Sequence, residues 1–262
     1  MIKYVPKEES FMPKFFIKNN QLVNDEITIL GEDVKHISNV LRMKVDDVIQ
    51  VCNTDTSKNY NVKLKSFEKD RITCKIIETI ESEAESNINL KIFQGIPKSD
   101  KMELIIQKST ELGVKGFIPV DMERCVSKIN GKDAAKKIDR WQKIAEVAAK
   151  QSGRDMIPSV ENVMTIKQVC GLVSSLDMLI VPYEKAEGYS FKDAIEELKN
   201  NNIEDVSIGI VIGPEGGFEP SEINILKESG AKIVTLGKRI LRTETVALAM
   251  SSVIMYELGG SI

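Results

Sequence analysis

Side chains that ligate metals or staple a chain are scarce in this 262-residue sequence. It has one histidine, His36, and four cysteines, Cys52, Cys74, Cys125 and Cys170, with no Cys-x-x-Cys pair among them. Scattered cysteines argue against structural zinc and suit a reducing compartment. All four are read as core or incidental residues, and the lone tryptophan, Trp141, as core. For His36 a structural hydrogen bond is as good an account as any chemistry, and no metal site is expected. Long apolar runs are missing as well. No uninterrupted stretch approaches the roughly 18 residues of a membrane span, and the first eight residues lack the apolar middle of a signal peptide, so a cytoplasmic protein is expected.

The sequence does contain ample material for a core: 42% of residues are apolar and 29% charged. That balance excludes a fibre or a disordered chain. At about 150 residues per domain the length suits one large domain or two unequal ones. A net charge of −3 is unhelpful for nucleic acid until it is divided along the chain. Residues 12–90 carry 11 Lys/Arg against 13 Asp/Glu, residues 91–154 carry 14 against 8, and residues 155–262 carry 9 against 16. A basic middle between acidic flanks suits local phosphate binding, although solvated helix faces produce the same count.

Short β-branched runs fill residues 27–80: Ile27–Leu30, Val48–Cys52, Tyr60–Leu64 and Arg71–Ile77, separated by turn residues. They predict a small, mainly antiparallel β domain, a barrel, interrupted by one helix near Glu32–Leu41. The polar, acidic stretch Glu78–Asn87 reads as a linker. Beyond it strands and helices alternate: strands at Leu90–Phe93, Gly116–Val120, Met178–Val181, Ile208–Ile212 and Lys232–Leu236, and helices at Ser99–Leu112, Lys132–Gln151, Phe191–Asn200, from Pro220, and Thr243–Leu258. Apolar strands alternating with helices predict a parallel sheet covered on both faces, with ligands beyond the strand C-termini. The expected division is residues 12–84 and 88–262, with residues 1–11 as an extension.

Two loops could carry chemistry. Gly213-Pro214-Glu215-Gly216-Gly217-Phe218 follows a buried strand, and its glycines let backbone approach a ligand. It matches neither a Walker loop nor Gly-x-Gly-x-x-Gly, and a plain tight turn is a rival reading. Leu236-Gly237-Lys238-Arg239-Ile240-Leu241-Arg242-Thr243-Glu244-Thr245 follows the next strand. There Thr243 looks like an N-cap with Glu244 in the first turn. A cap does not explain apolar Ile240 and Leu241 beside Arg239 and Arg242. That combination suits an apolar-faced cofactor next to an anionic partner.

Together these loops resemble the paired cofactor loops of the RsmE-type ribosomal RNA uridine-N3 methyltransferases, a family within the SPOUT superfamily. The resemblance extends through His36-Ile37-Ser38-Asn39-Val40-Leu41-Arg42, Lys98-x-x-Lys101-Met102-Glu103, Gln107-Lys108-x-x-Glu111-Leu112-Gly113-Val114, Glu123-Arg124 and Gln151-Ser152-Gly153-Arg154, and covers residues 12–262. It implies an α/β fold: a SPOUT-type parallel sheet with a C-terminal trefoil knot, plus a small N-terminal PUA-like β-barrel that binds RNA. It also implies a homodimer whose substrate is small-subunit (16S) ribosomal RNA, within an assembled or nearly assembled subunit, and whose cofactor is S-adenosylmethionine. The cofactor-binding residues would be Val181, Pro182 and Tyr183 in a first loop; Ile212, Gly213, Pro214, Gly216 and Gly217 in a second; and Leu236, Gly237, Ile240, Leu241 and Thr245 in a third.

Methyl transfer to uridine N3 needs alignment, and N3 must lose its proton. Arg242 is the expected catalytic group, stabilising the developing uridine anion. Glu215 either helps remove the proton or holds its loop through backbone hydrogen bonds. Arg42, Lys98, Lys101, Arg124 and Arg154 are the expected RNA-phosphate contacts, with pairing to acids on their own helix as a rival account of Lys101 and Lys108. Rival functions are methylation of another RNA site, such as a tRNA ribose, and a non-catalytic RNA-binding assembly factor with a relic pocket.

Overall fold

A computed structural model describes residues 12–81, 84–129, 131–201 and 205–259. The expected extension, residues 1–11, lies outside these. The chain divides into two units, residues 1–84 with 150–156, and residues 85–149 with 157–262.

In the first unit six strands form one sheet. They are β1 (Lys14–Ile17), β2 (Leu22–Val23), β3 (Glu26–Leu30), β4 (Val48–Asn53), β5 (Lys58–Phe67) and β6 (Arg71–Ile80), in the order β1-β4-β5-β6-β3-β2. All ladders are antiparallel except β1 with β4. Alternation drives the packing: Tyr60, Val62 and Leu64 of β5 and Ile72 and Cys74 of β6 are buried with Phe15, Ile27, Ile29, Ile49 and Val51. Lys63, Lys65 and Lys75 stay exposed on the other face. Register shifts at Asn61/Val62 and Leu64/Ser66 bend β5 against β6. The ladder path is nonetheless open, because no pairing among the described residues joins β1 to the two-residue β2. The expected barrel is therefore a curled half-barrel.

Two local expectations change. The helix near residues 32–41 is one α-helical turn, α1 (Glu32–Lys35), running into a π turn over His36–Val40 that Leu41 N–H closes on His36 O at 2.9 Å. The linker begins later, because β6 continues to Ile80 by pairing Glu78 with Asn61 and Ile80 with Asn59. Its acidic residues had masked a strand whose outer face meets water.

Residues 150–156 belong to the first unit through polar contacts. Asp155, 2% exposed, pairs with Lys14 and accepts from Asn59 Nδ2 at 2.7 Å, while its backbone carbonyl accepts from Cys52 Sγ at 3.0 Å. Lys150 Nζ lies 2.9 Å from Asp33 Oδ1.

The second unit is a sheet whose ladders are all parallel. Its strands are β7 (Asn89–Gly95), β8 (Gly116–Asp121), β9 (Ser159–Val160), β10 (Met164–Thr165), β11 (Met178–Pro182), β12 (Ser207–Ile212) and β13 (Lys232–Val234). The order is β10-β8-β7-β12-β11-β13, with β9 also on β8. Its helices are α2 (Lys101–Glu111), α3 (Lys132–Gln151), α4 (Ile166–Cys170), α5 (Phe191–Asn200), α6 (Pro220–Glu228) and α7 (Thr243–Leu258). Ile208, Ile210, Val211 and Ile212 are all buried, as a strand covered on both faces requires. Burying each such side chain contributes roughly 1.5–3 kcal/mol. Trp141 joins the same core.

Short β9, β10 and α4 have no counterpart in the periodicity, since two-residue strands leave no repeat to detect. No helix among the described residues is long and apolar enough to cross a membrane. At the start of α7 the expected N-cap shifts by one: Arg242 holds that position with extended backbone, and Thr243 is the first helical residue. Its hydroxyl is spent elsewhere, as described below.

Candidate cofactor cleft

Strands β11, β12 and β13 end side by side, and the loops leaving them enclose a cleft of about 590 Å³. That lies within the roughly 300–1,000 Å³ typical of small-molecule sites. Of the expected cofactor residues, Pro182 and Tyr183, Ile212, Gly213, Pro214, Gly216 and Gly217, and Leu236, Gly237, Ile240 and Leu241 line it, as do Glu215 and Arg242. Val181 and Thr245 do not. Val181 is wholly buried inside the sheet, and Thr245 faces solvent, whereas Thr243 and Val246, three residues apart on the helix, turn to the cleft. Tyr183 and Phe218 meet edge to face at 6.4 Å in its wall. Glu184 brings a carboxylate beside Gly217, 3.9 Å from where a Cβ would lie, and Gly217 has φ +68. Lys101, Thr235, Lys238 and Arg239 also line the cleft without having been expected as cofactor residues. Lys238 and Arg239 stood within the third loop, but nothing in the pattern signals Thr235 or Val246.

Ionic and hydrogen-bonded ties define the Gly213–Phe218 loop. Glu215 accepts the Lys98 backbone N–H at 3.1 Å and lies 3.1 Å from Lys101 Nζ. Burial alone would raise its pKa. Hydrogen bonds from its own and the Lys98 backbone, together with the Lys101 ammonium, outweigh that and hold it below its ordinary value. An ionised carboxylate so engaged anchors a loop better than it takes up a proton. Lys101 also lies 3.4 Å from Glu244 Oε2, and its pKa is raised, chiefly by the Glu215 hydrogen bond.

Strand β7, which pairs with the β12 strand leading into this loop, is fitted to the loop by shape. A Cβ on Gly95, at the end of β7, would stand 2.8 Å from the backbone nitrogen of Pro214. Only glycine lets the two chains approach this closely.

The five expected phosphate contacts separate. Arg42 and Lys98 are exposed, and no side-chain partner engages either among the described residues. Arg42 also adopts φ 54, a left-handed conformation rare for a long side chain. Lys101 is tied to Glu215 and Glu244, across elements rather than along its own helix, whereas Lys108 does pair with Glu111 on its own helix. Arg124 is committed to Glu219 at 2.7 Å and to the carbonyl of Gly216 at 3.0 Å, and its pKa is raised by Glu219. Arg154 is 3% exposed and engaged by neighbouring groups, so a phosphate arriving from solvent does not reach it. Charge counting could not separate these cases, because pairing is a property of the folded chain. Lys238, Arg239 and Arg242 are the cleft's exposed cations, and no hydrogen bond or ion pair engages their side chains among the described residues.

Comparison with known proteins agrees with this architecture. Residues 84–255 match the model of an RNA methyltransferase domain, and residues 29–77 that of an RNA methyltransferase PUA domain. The chain is 38% identical over 249 residues to the ribosomal RNA small subunit methyltransferase E of Bacillus subtilis, covering 94% of this chain and 97% of that one. A crystal structure of the Neisseria gonorrhoeae enzyme of the same name, bound to S-adenosylmethionine, superposes with a TM-score of 0.81 at 31% identity, covering 94% of this chain and 97% of the other. A Legionella pneumophila methyltransferase in complex with the same cofactor gives a TM-score of 0.81 at 27% identity, with 94% and 97% covered. Fold, cleft and similarity along nearly the whole length converge: the chain belongs to the ribosomal RNA small subunit methyltransferase E family.

Proposed function

We propose that the protein methylates N3 of a specific uridine in small-subunit ribosomal RNA, using S-adenosylmethionine held in the cleft at the ends of β11, β12 and β13. The observation that carries the reading is that cleft: two glycine-bearing loops facing each other, with the unengaged Arg242 guanidinium on its wall. The residues suit the cofactor. Leu236, Leu241, Ile212 and the Tyr183–Phe218 pair offer apolar surface for an adenine, Glu184 offers a carboxylate to hydroxyl or ammonium groups, and Gly216-Gly217 keeps the backbone accessible. When bound, S-adenosylmethionine supplies an electrophilic methyl on sulfur. The chain's own part is to hold the base in line and to stabilise N3 as it loses its proton. Arg242 does the latter by placing positive charge beside the uridine anion. Glu215, already engaged by Lys98 and Lys101, anchors its loop and is not the base.

Lys98, Lys238 and Arg239 line the RNA approach, and the half-barrel of residues 12–84 with Arg42 contributes the PUA-like RNA contact to the methyltransferase domain of residues 88–262. The reading includes a C-terminal trefoil knot. Thr243 at the start of α7 donates to the carbonyl of Gly213, so the last helix sets out from beside the Gly213–Phe218 loop. It also includes a homodimer, supported by exposed Leu104 on α2 and Val253 and Tyr256 on the adjoining α7. Such an enzyme works in the cytoplasm, on an assembled or nearly assembled subunit.

The test is transfer of labelled methyl to purified small subunits lacking the native modification, followed by nucleoside mass analysis. A single 3-methyluridine is expected. Label on another nucleoside would overturn the specificity, and no transfer to subunits, rRNA or tRNA would overturn the enzyme.

A further inference from the structure

We propose that Thr243 and Lys101 are positioning residues that brace the Gly213–Phe218 loop against the start of α7, and that this double brace sets the affinity for S-adenosylmethionine. The proposal rests on the cleft being the cofactor site. The two segments are separate loops, and a cleft formed between them keeps its shape only if they are held in register.

One tie is neutral and buried. Thr243 Oγ1 donates to the carbonyl of Gly213 at 2.8 Å and accepts from Gln94 Nε2 at 2.9 Å. The hydroxyl has a single proton, so the direction is set: Gln94 to Thr243 to Gly213. Gln94 is fully buried at the end of β7 and also donates to Gly95 O at 2.9 Å, which seats the relay on the sheet.

The other tie is ionic and partly exposed. Lys101 Nζ reaches Glu215 of the first segment at 3.1 Å and Glu244 of the second at 3.4 Å. Each tie therefore joins the same two segments, at Gly213 with Thr243 and at Glu215 with Glu244. A single tie leaves a hinge, whereas two at different points remove it. A cleft already held in its binding shape loses less ordering entropy when a ligand enters.

The experiment is calorimetric titration of S-adenosylmethionine into the full-length protein. Thr243→Val should weaken binding roughly tenfold, Thr243→Ser should restore it to within about threefold, and Lys101→Met should weaken it by a similar factor. With one brace gone the second has less left to hold, so the double variant should fall short of the product of the two single losses. KM for the cofactor should rise while kcat at saturation stays within a few-fold.

Thr243→Val binding within about twofold of the parent, even with a lowered melting temperature, would mark the hydroxyl as merely structural and overturn the proposal. Should that variant not fold, Lys101→Met carries the same criterion. Ultraviolet cross-linking of labelled S-adenosylmethionine separates the two levels. Label within residues 182–184, 212–218 or 235–246 with unchanged Thr243→Val affinity removes the brace alone, and label elsewhere removes the cleft assignment and the brace with it.

Discussion

Arg242, like Lys238 and Arg239 and unlike Lys101, lines the cleft with no hydrogen bond or ion pair to its side chain among the described residues. Arg242→Ala should therefore lower single-turnover methylation by roughly 100-fold or more, the scale of losing one preorganised donor. Cofactor affinity should be nearly unchanged, and a rate within a few-fold of the parent would remove its catalytic role. Glu215 makes a pH prediction. Its folded pKa lies below the ordinary 4.5, so its contribution to stability is complete above that value and is lost as pH falls through the lowered one. The melting temperature should thus decline less steeply below pH 4.5 in Glu215→Gln than in the parent. At Gly95 the limit is space. A methyl 2.8 Å from Pro214 N has backbone as its obstacle, so Gly95→Ala should cost roughly 1–3 kcal/mol in urea unfolding and weaken cofactor binding as the loop is displaced.

Among the elements, α3, α5 and α7 run over the residues that periodicity predicts, because each turns an apolar stripe to the sheet and ends at polar or glycine-bearing turns. Elements whose identity depends on partners were harder to read. The end of β6 is acidic and solvent-facing, and its backbone pairing with β5 makes it a strand. Residues 150–156 are the last two residues of α3 and the turn after it, yet Asp155 fastens this segment into the first unit by pairing with Lys14 and Asn59. Because this pair is buried, Asp155→Ala would strand a lysine and should destabilise the protein by about 3–5 kcal/mol, measurable by denaturant titration. A loss under about 1 kcal/mol would mean that the ammonium finds water or another partner.

For the molecule as a whole, a net charge of −3 coexists with a cationic rim of Lys238, Arg239 and Arg242 at the cleft. RNA affinity should fall with salt accordingly. Lys98→Ala and Arg239→Ala should each make the log–log slope shallower by about 0.7–0.9, while Arg124→Ala, whose guanidinium is committed to Glu219 and Gly216, should leave it unchanged. Equal changes for all three would mean that the internal pairing of Arg124 opens on binding.

The order of residue types determined the elements, the β-then-α/β organisation and the two glycine loops, because periodicity and turn chemistry act over a few neighbours. It also determined the family, through motifs spread from His36 to Thr245. Tertiary structure decided which charges stay available. Arg242 and Lys98 are indistinguishable by type from Arg124, Arg154 and Lys101, and only folding brings Glu219, Glu215 and Glu244 within reach of Arg124 and Lys101 or buries Arg154. Only the fold, too, brings Gln94, Thr243 and Gly213 into one hydrogen-bonded relay, since contacts between residues 149 and 30 positions apart leave no local pattern to read.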